Sequence, residues 1–167
     1  MRETITHDYK FIIYKFVDND NSIAEYSRNG GELKSLHPYA IETFEKNVFL
    51  NTGMNEIWDI LIGNSSNVFD ATNSRVGVGT DTTEASATDT DLIGTSVYET
   101  MDIGYPYVSG NTIYFRGTYD KDTGNQAWNE FVVKNNASGV CFNRKVESKG
   151  TKLEGESWIL EIQITLS

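Results

Sequence analysis

The sequence predicts a mostly-β fold: a single antiparallel β-sandwich or jelly-roll-like domain with one short helix and an N-terminal arm. Three observations lead there. Aromatics make up 12% of the chain, with 9 Tyr and 8 Phe, and they fall in short runs beside β-branched residues, as in strands that pack on a pleated surface. The runs are separated by Asn, Asp, Gly, Ser and Thr, giving about eight or more closely spaced strands joined by turns. Only one stretch shows a helical period.

Residues 9–17 are apolar at both alternating sets of positions, Phe11 and Ile13 against Ile12, Tyr14 and Phe16, as in a strand covered on two sides. Asp18-Asn19-Asp20-Asn21 turns the chain. Residues 23–28 and 32–37 flank Asn29-Gly30-Gly31, which predicts a hairpin. Residues 1–46 are therefore read as an N-terminal arm or hairpin, and 47–167 as the sandwich domain. A strand is expected over 43–50, with Phe44, Val48 and Leu50 on one face. Met54, Ile57, Trp58 and Leu61 then recur at i, i+3, i+4 and i+7, which predicts a helix over 52–62 burying that stripe against a sheet. Thr52 is its expected cap and Gly63 its stop.

Arg75-Val76-Gly77-Val78-Gly79 reads as a short strand. Residues 80–91 carry no large apolar side chain and are expected to run over the surface. Further strands are predicted over 96–102, 105–108, 112–119, 127–134 and 140–146, with turns at Ser109-Gly110-Asn111, 120–125 and 135–139. The last strand alternates most cleanly: Trp158, Leu160, Ile162, Ile164 and Leu166 face one way, Glu161, Gln163 and Thr165 the other.

The chemistry suggested by this composition is sparse. A net charge of -10, from 14 Lys plus Arg against 24 Asp plus Glu, argues against gripping nucleic-acid phosphates or an anionic membrane. No apolar run reaches membrane-spanning length and no secretory start is evident. The single cysteine, Cys141, excludes an internal disulfide and a multi-thiolate zinc site. It reads as a small buried thiol; a pair with His7 or His37 has no local support. Asp18-Asn19-Asp20-Asn21-Ser22 and Asp120-Lys121-Asp122-Thr123-Gly124 place oxygens at alternate positions as calcium loops do, but Asn29 and Phe131 stand where a bidentate Glu belongs. Solvated turns are the better reading, with a weak structural ion in the second loop as the lesser one. Val76-Gly77-Val78-Gly79-Thr80 lacks the third glycine and following helix of a phosphate-binding turn. A serine-nucleophile elbow is missing, and no carboxylate pair can be singled out as a glycosidase couple. The sequence therefore points to a non-enzyme, with no catalytic, cofactor or metal residue assigned.

A series of segments in the same order does carry a resemblance: Asn47-Val48-Phe49-Leu50-Asn51-Thr52-Gly53-Met54-Asn55-Glu56-Ile57-Trp58, the Val76-Gly77-Val78-Gly79 segment with its Thr/Ala/Asp stretch, Met101-Asp102-Ile103-Gly104-Tyr105-Pro106, Asn111 through Tyr119, Trp128-Asn129-Glu130-Phe131, Asn143-Arg144-Lys145 through Lys152, and the terminal strand. Over about residues 47–167 the chain resembles a group of small virion structural proteins of tailed bacteriophages. The resemblance implies a place on the virion, after assembly in the host cytoplasm, with other virion proteins (major capsid or tail proteins) as partners. It implies no cofactor, nucleic acid or membrane. Repetition of a weak contact favours a homo-oligomer, a trimer by analogy with other phage decoration and fibre proteins. A capsid decoration (cement) or other accessory structural protein is the leading expectation, with residues 1–46 as the attaching arm. The alternative is a tail-fibre or receptor-binding module for host-surface glycan; the Tyr and Asn content fits either reading, because Tyr rings stack on sugars or pack at protein interfaces. Trp128, Asn129, Glu130, Phe131, Asn143, Arg144 and Lys145 are read as a core aromatic beside polar residues that satisfy the backbone, rather than as a contact surface.

Overall fold

In the computed structural model, which describes residues 7–167, the first strand and the last lie side by side. β1 (His7–Val17) and β10 (Glu156–Leu166) are antiparallel, in register from His7 opposite Leu166 to Val17 opposite Glu156. β2 (Ala40–Glu45) lies on the far side of β1, while β7 (Thr112–Tyr119) and β6 (Tyr107–Ser109) continue beyond β10, giving the order β2-β1-β10-β7-β6. The second sheet holds β3 (Val48–Phe49), β4 (Ser74–Gly79), β5 (Ser96–Thr100), β8 (Glu130–Asn135) and β9 (Asn143–Val146) in the order β3-β9-β8-β4-β5. The two sheets pack face to face, as the alternating strands predict.

Between them, Phe11, Ile13, Phe115, Tyr119, Trp158, Leu160 and Ile162 of the first sheet meet Val76, Val78, Phe131 and Val133 of the second. Trp128 fills the centre, edge-on to Tyr119 at 4.6 Å and to Trp158 at 4.9 Å between ring centroids. Its indole N–H donates to the Gly124 carbonyl at 2.9 Å, so the large ring is buried without an orphaned donor. In β10, Trp158, Leu160, Ile162 and Ile164 are inward as predicted, whereas Leu166 ends the strand exposed.

Residues 7–46 differ from the expected arm. β1 is an interior strand of the first sheet, and its double-sided apolarity has a structural use. Phe11 and Ile13 enter the core, while Ile12, Tyr14 and Phe16 face outward beneath a second cluster with Leu33 and Ile159. That cover comes from the segment predicted as a hairpin, which is instead helix α1 (Ser22–Arg28) followed by a 3-10 turn (Leu33–Leu36). The Asp18 carboxylate decides the matter locally: it accepts the Ile23 and Ala24 amides at 3.1 and 2.9 Å, capping a helix start that would otherwise leave these donors unpaired. Through the pairing of β1 with β10, β1 and β2 complete the first sheet, whose other strands, like all of the second sheet, lie within residues 47–167.

The strand expected over 43–50 is two strands. Lys46, at φ 63°, lies between β2 and β3, and here the chain leaves the first sheet for the second. Helix α2 (Asn51–Leu61) follows almost where predicted, but its apolar stripe faces outward. The residue it buries is Gly53, where a Cβ would strike the Phe142 backbone and the Cys141 carbonyl. Thr52 does not cap the helix; its hydroxyl donates to the Cys141 carbonyl at 3.4 Å. On the outer face of the second sheet, Leu92, from the segment over 80–95, packs with Leu50, Val132 and Cys141.

That segment runs over the surface as expected, yet it is pinned by buried charge. Glu130 and Arg144 are both fully buried. The Glu130 carboxylate accepts the backbone amides of Asp81, Ile93 and Gly94, each at 2.9 Å, together with Arg144 Nε at 3.0 Å and Nη2 at 2.8 Å. Arg144 also donates to Asp89 at 2.8 Å and to the Thr83 carbonyl at 3.1 Å. Gly79 makes room, since a Cβ there would run into the Glu130 carboxylate.

Removing one member of a buried ion pair leaves the other uncompensated. Glu130→Ala is expected to lower the unfolding free energy by about 3–5 kcal/mol, measured by urea denaturation. A loss below about 1 kcal/mol, the scale of an exposed pair, would mean that the network does not hold the segment.

Candidate binding site

The outer face of the first sheet is only half covered by α1 and its 3-10 turn. The open half is a cleft of about 470 Å³, within the roughly 300–1,000 Å³ range of small-ligand sites. Strand register sets its floor. Lys10, Gln163, Tyr114 and Tyr107 lie in one row across β1, β10, β7 and β6. Ile12, Glu161 and Arg116 form the neighbouring row, and residues 30–34 line one wall.

Three tyrosines form an aromatic bank. Tyr107 stacks on Tyr114 at 4.6 Å with 3° between the planes, and Tyr105 meets Tyr107 edge-on at 5.1 Å. The Arg116 guanidinium lies 4.5 Å from the Tyr105 ring centroid. Tyr105 donates to Glu161 at 3.2 Å and Gln163 donates to the same carboxylate at 2.6 Å. Burial and the charge of Glu161 push the Tyr105 phenol above its ordinary value, so the hydroxyl stays a donor at neutral pH.

Beneath the cleft a polar knot fixes Arg116. Its Nε donates to Asp102 at 2.8 Å and its Nη2 to the Ser27 carbonyl at 2.8 Å. Asp102 also accepts from the hydroxyls of Ser27 and Thr118, both at 2.9 Å. Burial raises the Asp102 carboxyl above its usual value, with Arg116 and the hydroxyls pulling it down. The knot ties α1 to β7 and leaves Arg116 engaged rather than free to bind.

A second surface stands apart from the cleft. On α2, Trp58 is 55% and Leu61 70% exposed, and Ile62 just beyond it is 68% exposed, with Met54 one turn before Trp58. These positions share one helix face.

The residues singled out by sequence have local duties. The Cys141 thiol is buried and donates to Asp91 at 3.2 Å; burial and the Asp91 charge push it well above the ordinary thiol range. Neither His7 nor His37 hydrogen bonds to it among the described residues. Asp18 is taken up by α1 and by the Ser157 hydroxyl at 2.6 Å. Asp120 accepts from Arg28 at 2.9 Å and from the Asp122 and Thr123 amides. The interior of the second acidic loop receives an ammonium: Lys152 Nζ donates to the Asp120 carbonyl at 2.6 Å and to Asn125 Oδ1 at 2.5 Å. Gly77 and Gly79 lie within β4 rather than in a phosphate turn. Trp128, Asn129, Glu130 and Arg144 are buried, and Asn129 donates to the Thr80 carbonyl at 2.8 Å. Among the described residues, no group of three or more His, Cys, Asp or Glu side chains is placed to hold a metal ion, and no helix is long and apolar enough to cross a membrane.

Sequence reasoning missed the cleft. Its signal is the polar half of alternating strands, Tyr114 and Arg116 in β7 with Glu161 and Gln163 in β10. That half looks like ordinary solvent-facing polarity until register brings the two strands together. No protein-family model, curated protein or solved structure matches the chain.

Lys152 supplies a pH test. Burial depresses its amine to about 8, against the raising influence of Asp120, Glu156, Asp122 and Glu99. Between that value and the ordinary 10.5, the unfolded chain binds the extra proton, so this group makes stability rise with pH across the window. Denaturant midpoints of the wild type minus those of Lys152→Met are expected to increase from pH 8 to pH 10; a flat or falling difference would contradict the assignment.

Proposed function

We propose that the chain is a non-catalytic accessory structural protein of a tailed-bacteriophage particle, a capsid decoration (cement) protein first of all, that works through protein–protein contacts on the virion. The observation that supports this reading is the outward apolar face of α2. Burying a large apolar side chain contributes roughly 1.5–3 kcal/mol, and contiguous exposed apolar patches mark association surfaces. Trp58 is a suitable anchor, because tryptophan is enriched among the residues that dominate interface energies. The helix is seated through Gly53 on the Cys141–Phe142 backbone, so the face is presented by a supported element rather than a mobile tail. A homo-oligomer, with a trimer favoured, is part of the proposal, because repeated weak contacts add by avidity.

The interior duties of Cys141 and of the acidic loops support the non-catalytic part of the reading. In this proposal α2 rather than residues 7–46 makes the contact, since β1 and β2 are strands of the first sheet; residues 1–6 of the expected arm lie outside the described residues.

Trp58→Glu combined with Leu61→Glu is expected to abolish incorporation into particles, measured by quantitative mass spectrometry of purified virions, while the far-UV circular dichroism of the isolated protein is unchanged. Wild type is expected at hundreds of copies spread over the shell. Normal incorporation of the double variant would remove α2 from the contact, and a few copies confined to the tail tip would eliminate decoration.

A further inference from the structure

We infer that the tyrosine-banked cleft on the outer face of the first sheet is a binding site for a neutral pyranose oligosaccharide. This goes beyond the attachment reading and does not depend on it: the cleft lies on the outer face of the first sheet, and α2 is seated on the second.

The cleft combines the two kinds of surface that a sugar requires. One side of a pyranose ring presents C–H bonds, which pack on the negative face of an aromatic ring. Tyr107 is 42% exposed at the sheet edge and its orientation is held by the parallel stack on Tyr114, so the bank is ordered before any ligand arrives and little side-chain freedom is lost on binding. The rim of the ring presents hydroxyls, each a donor and an acceptor. Glu161 and Gln163 lie two residues apart on β10 and project to the same side. They are hydrogen bonded to one another and Glu161 is held by Tyr105. The carboxylate keeps further lone pairs and the amide keeps its carbonyl. Adjacent acceptors on a fixed strand suit neighbouring hydroxyls of one sugar.

Charge decides between neutral and acidic sugars. Lys10 and Lys34 are matched by Glu161 and Glu32 around the cleft, and Arg116 is compensated by Asp102 directly beneath. The site thus has no surplus cation for a carboxylate or phosphate. A proline-rich peptide is the competing occupant of a tyrosine-lined groove, but it would leave the Glu161–Gln163 acceptors facing a chain poor in donors.

The test is saturation-transfer-difference NMR on the full chain with N,N′-diacetylchitobiose, maltose, cellobiose and lactose at millimolar concentration, with sialyllactose and a polyproline peptide alongside. The expected result is transfer to at least one neutral disaccharide, with the affinity obtained by titrating that signal falling about tenfold, or 1.4 kcal/mol, in Tyr107→Ala and in Gln163→Ala. Tyr107→Ala lies at the exposed edge, and an unchanged melting temperature separates lost binding from lost fold; Gln163→Met, which removes the amide carbonyl at similar side-chain length, serves as the second variant, with the same loss expected, if Gln163→Ala unfolds. Transfer to none of the neutral sugars overturns the inference. So does a response restricted to sialyllactose or to the peptide, or a neutral-sugar response unchanged by both substitutions.

Discussion

A buried carboxylate with five donors organises the half of the molecule that α2 belongs to. Taking Glu130 and Arg144 out of water costs several kcal/mol per ion unless every lone pair and proton is matched. Here the match is made by backbone amides of a segment that has almost no apolar side chains of its own. Asp81, Ile93 and Gly94 donate to Glu130, and Thr83 and Asp89 accept from Arg144. Residues 80–95 therefore owe their course chiefly to these polar contacts, with Leu92 supplying the apolar one. The same segment then supports α2, whose first amide, that of Asn51, donates to the Ala87 carbonyl at 2.9 Å. A chain of contacts leads from the ion pair through Asp89 and Ala87 to the helix that turns Trp58 toward solvent.

The first sheet solves a different problem. Its outer face would expose Ile12, Tyr14, Phe16 and Ile159 if nothing lay over it, and α1 with its 3-10 turn covers that half. The remaining half carries alternating polar and aromatic residues that need no cover, and register turns them into one surface. Fixing Arg116 through Asp102, Ser27 and Thr118 joins the two halves. A buried hydrogen-bonded network of this kind favours a single arrangement of the surface above it. The sandwich thus presents a polar aromatic cleft and an apolar helix face on separate sheets, each backed by its own ionic knot.

The sandwich itself was legible, because period-2 alternation in β7 and β10 survives in the linear sequence and needs no partner to be seen. What misled was information held in tertiary contacts. Asn29-Gly30-Gly31 suits a hairpin, but Asp18, four residues upstream of the first helical position, caps α1 and overrides it. The Met54, Ile57, Trp58 and Leu61 period correctly located a helix and wrongly implied which side is buried, because Gly53, which has no hydrophobic signal at all, is the contact residue. Glu130 and Arg144 read as polar residues that satisfy the backbone, and they do so; their pairing with each other in full burial does not show in the sequence, because a charge at the centre of a network is indistinguishable there from one in water. The cleft was illegible for the same reason, since its rows exist only across four strands.

Native-state hydrogen exchange at the amides of Asp81, Ile93 and Gly94 tests the organising role of Glu130 most directly. Loop amides ordinarily open with little free energy. If the carboxylate holds the segment, these three exchange as slowly as the β8 amides, with the free energy of global unfolding, and all three lose protection together in Glu130→Gln. Exchange as fast as that of the exposed turn at residues 136–139, with β8 still protected, would contradict the account.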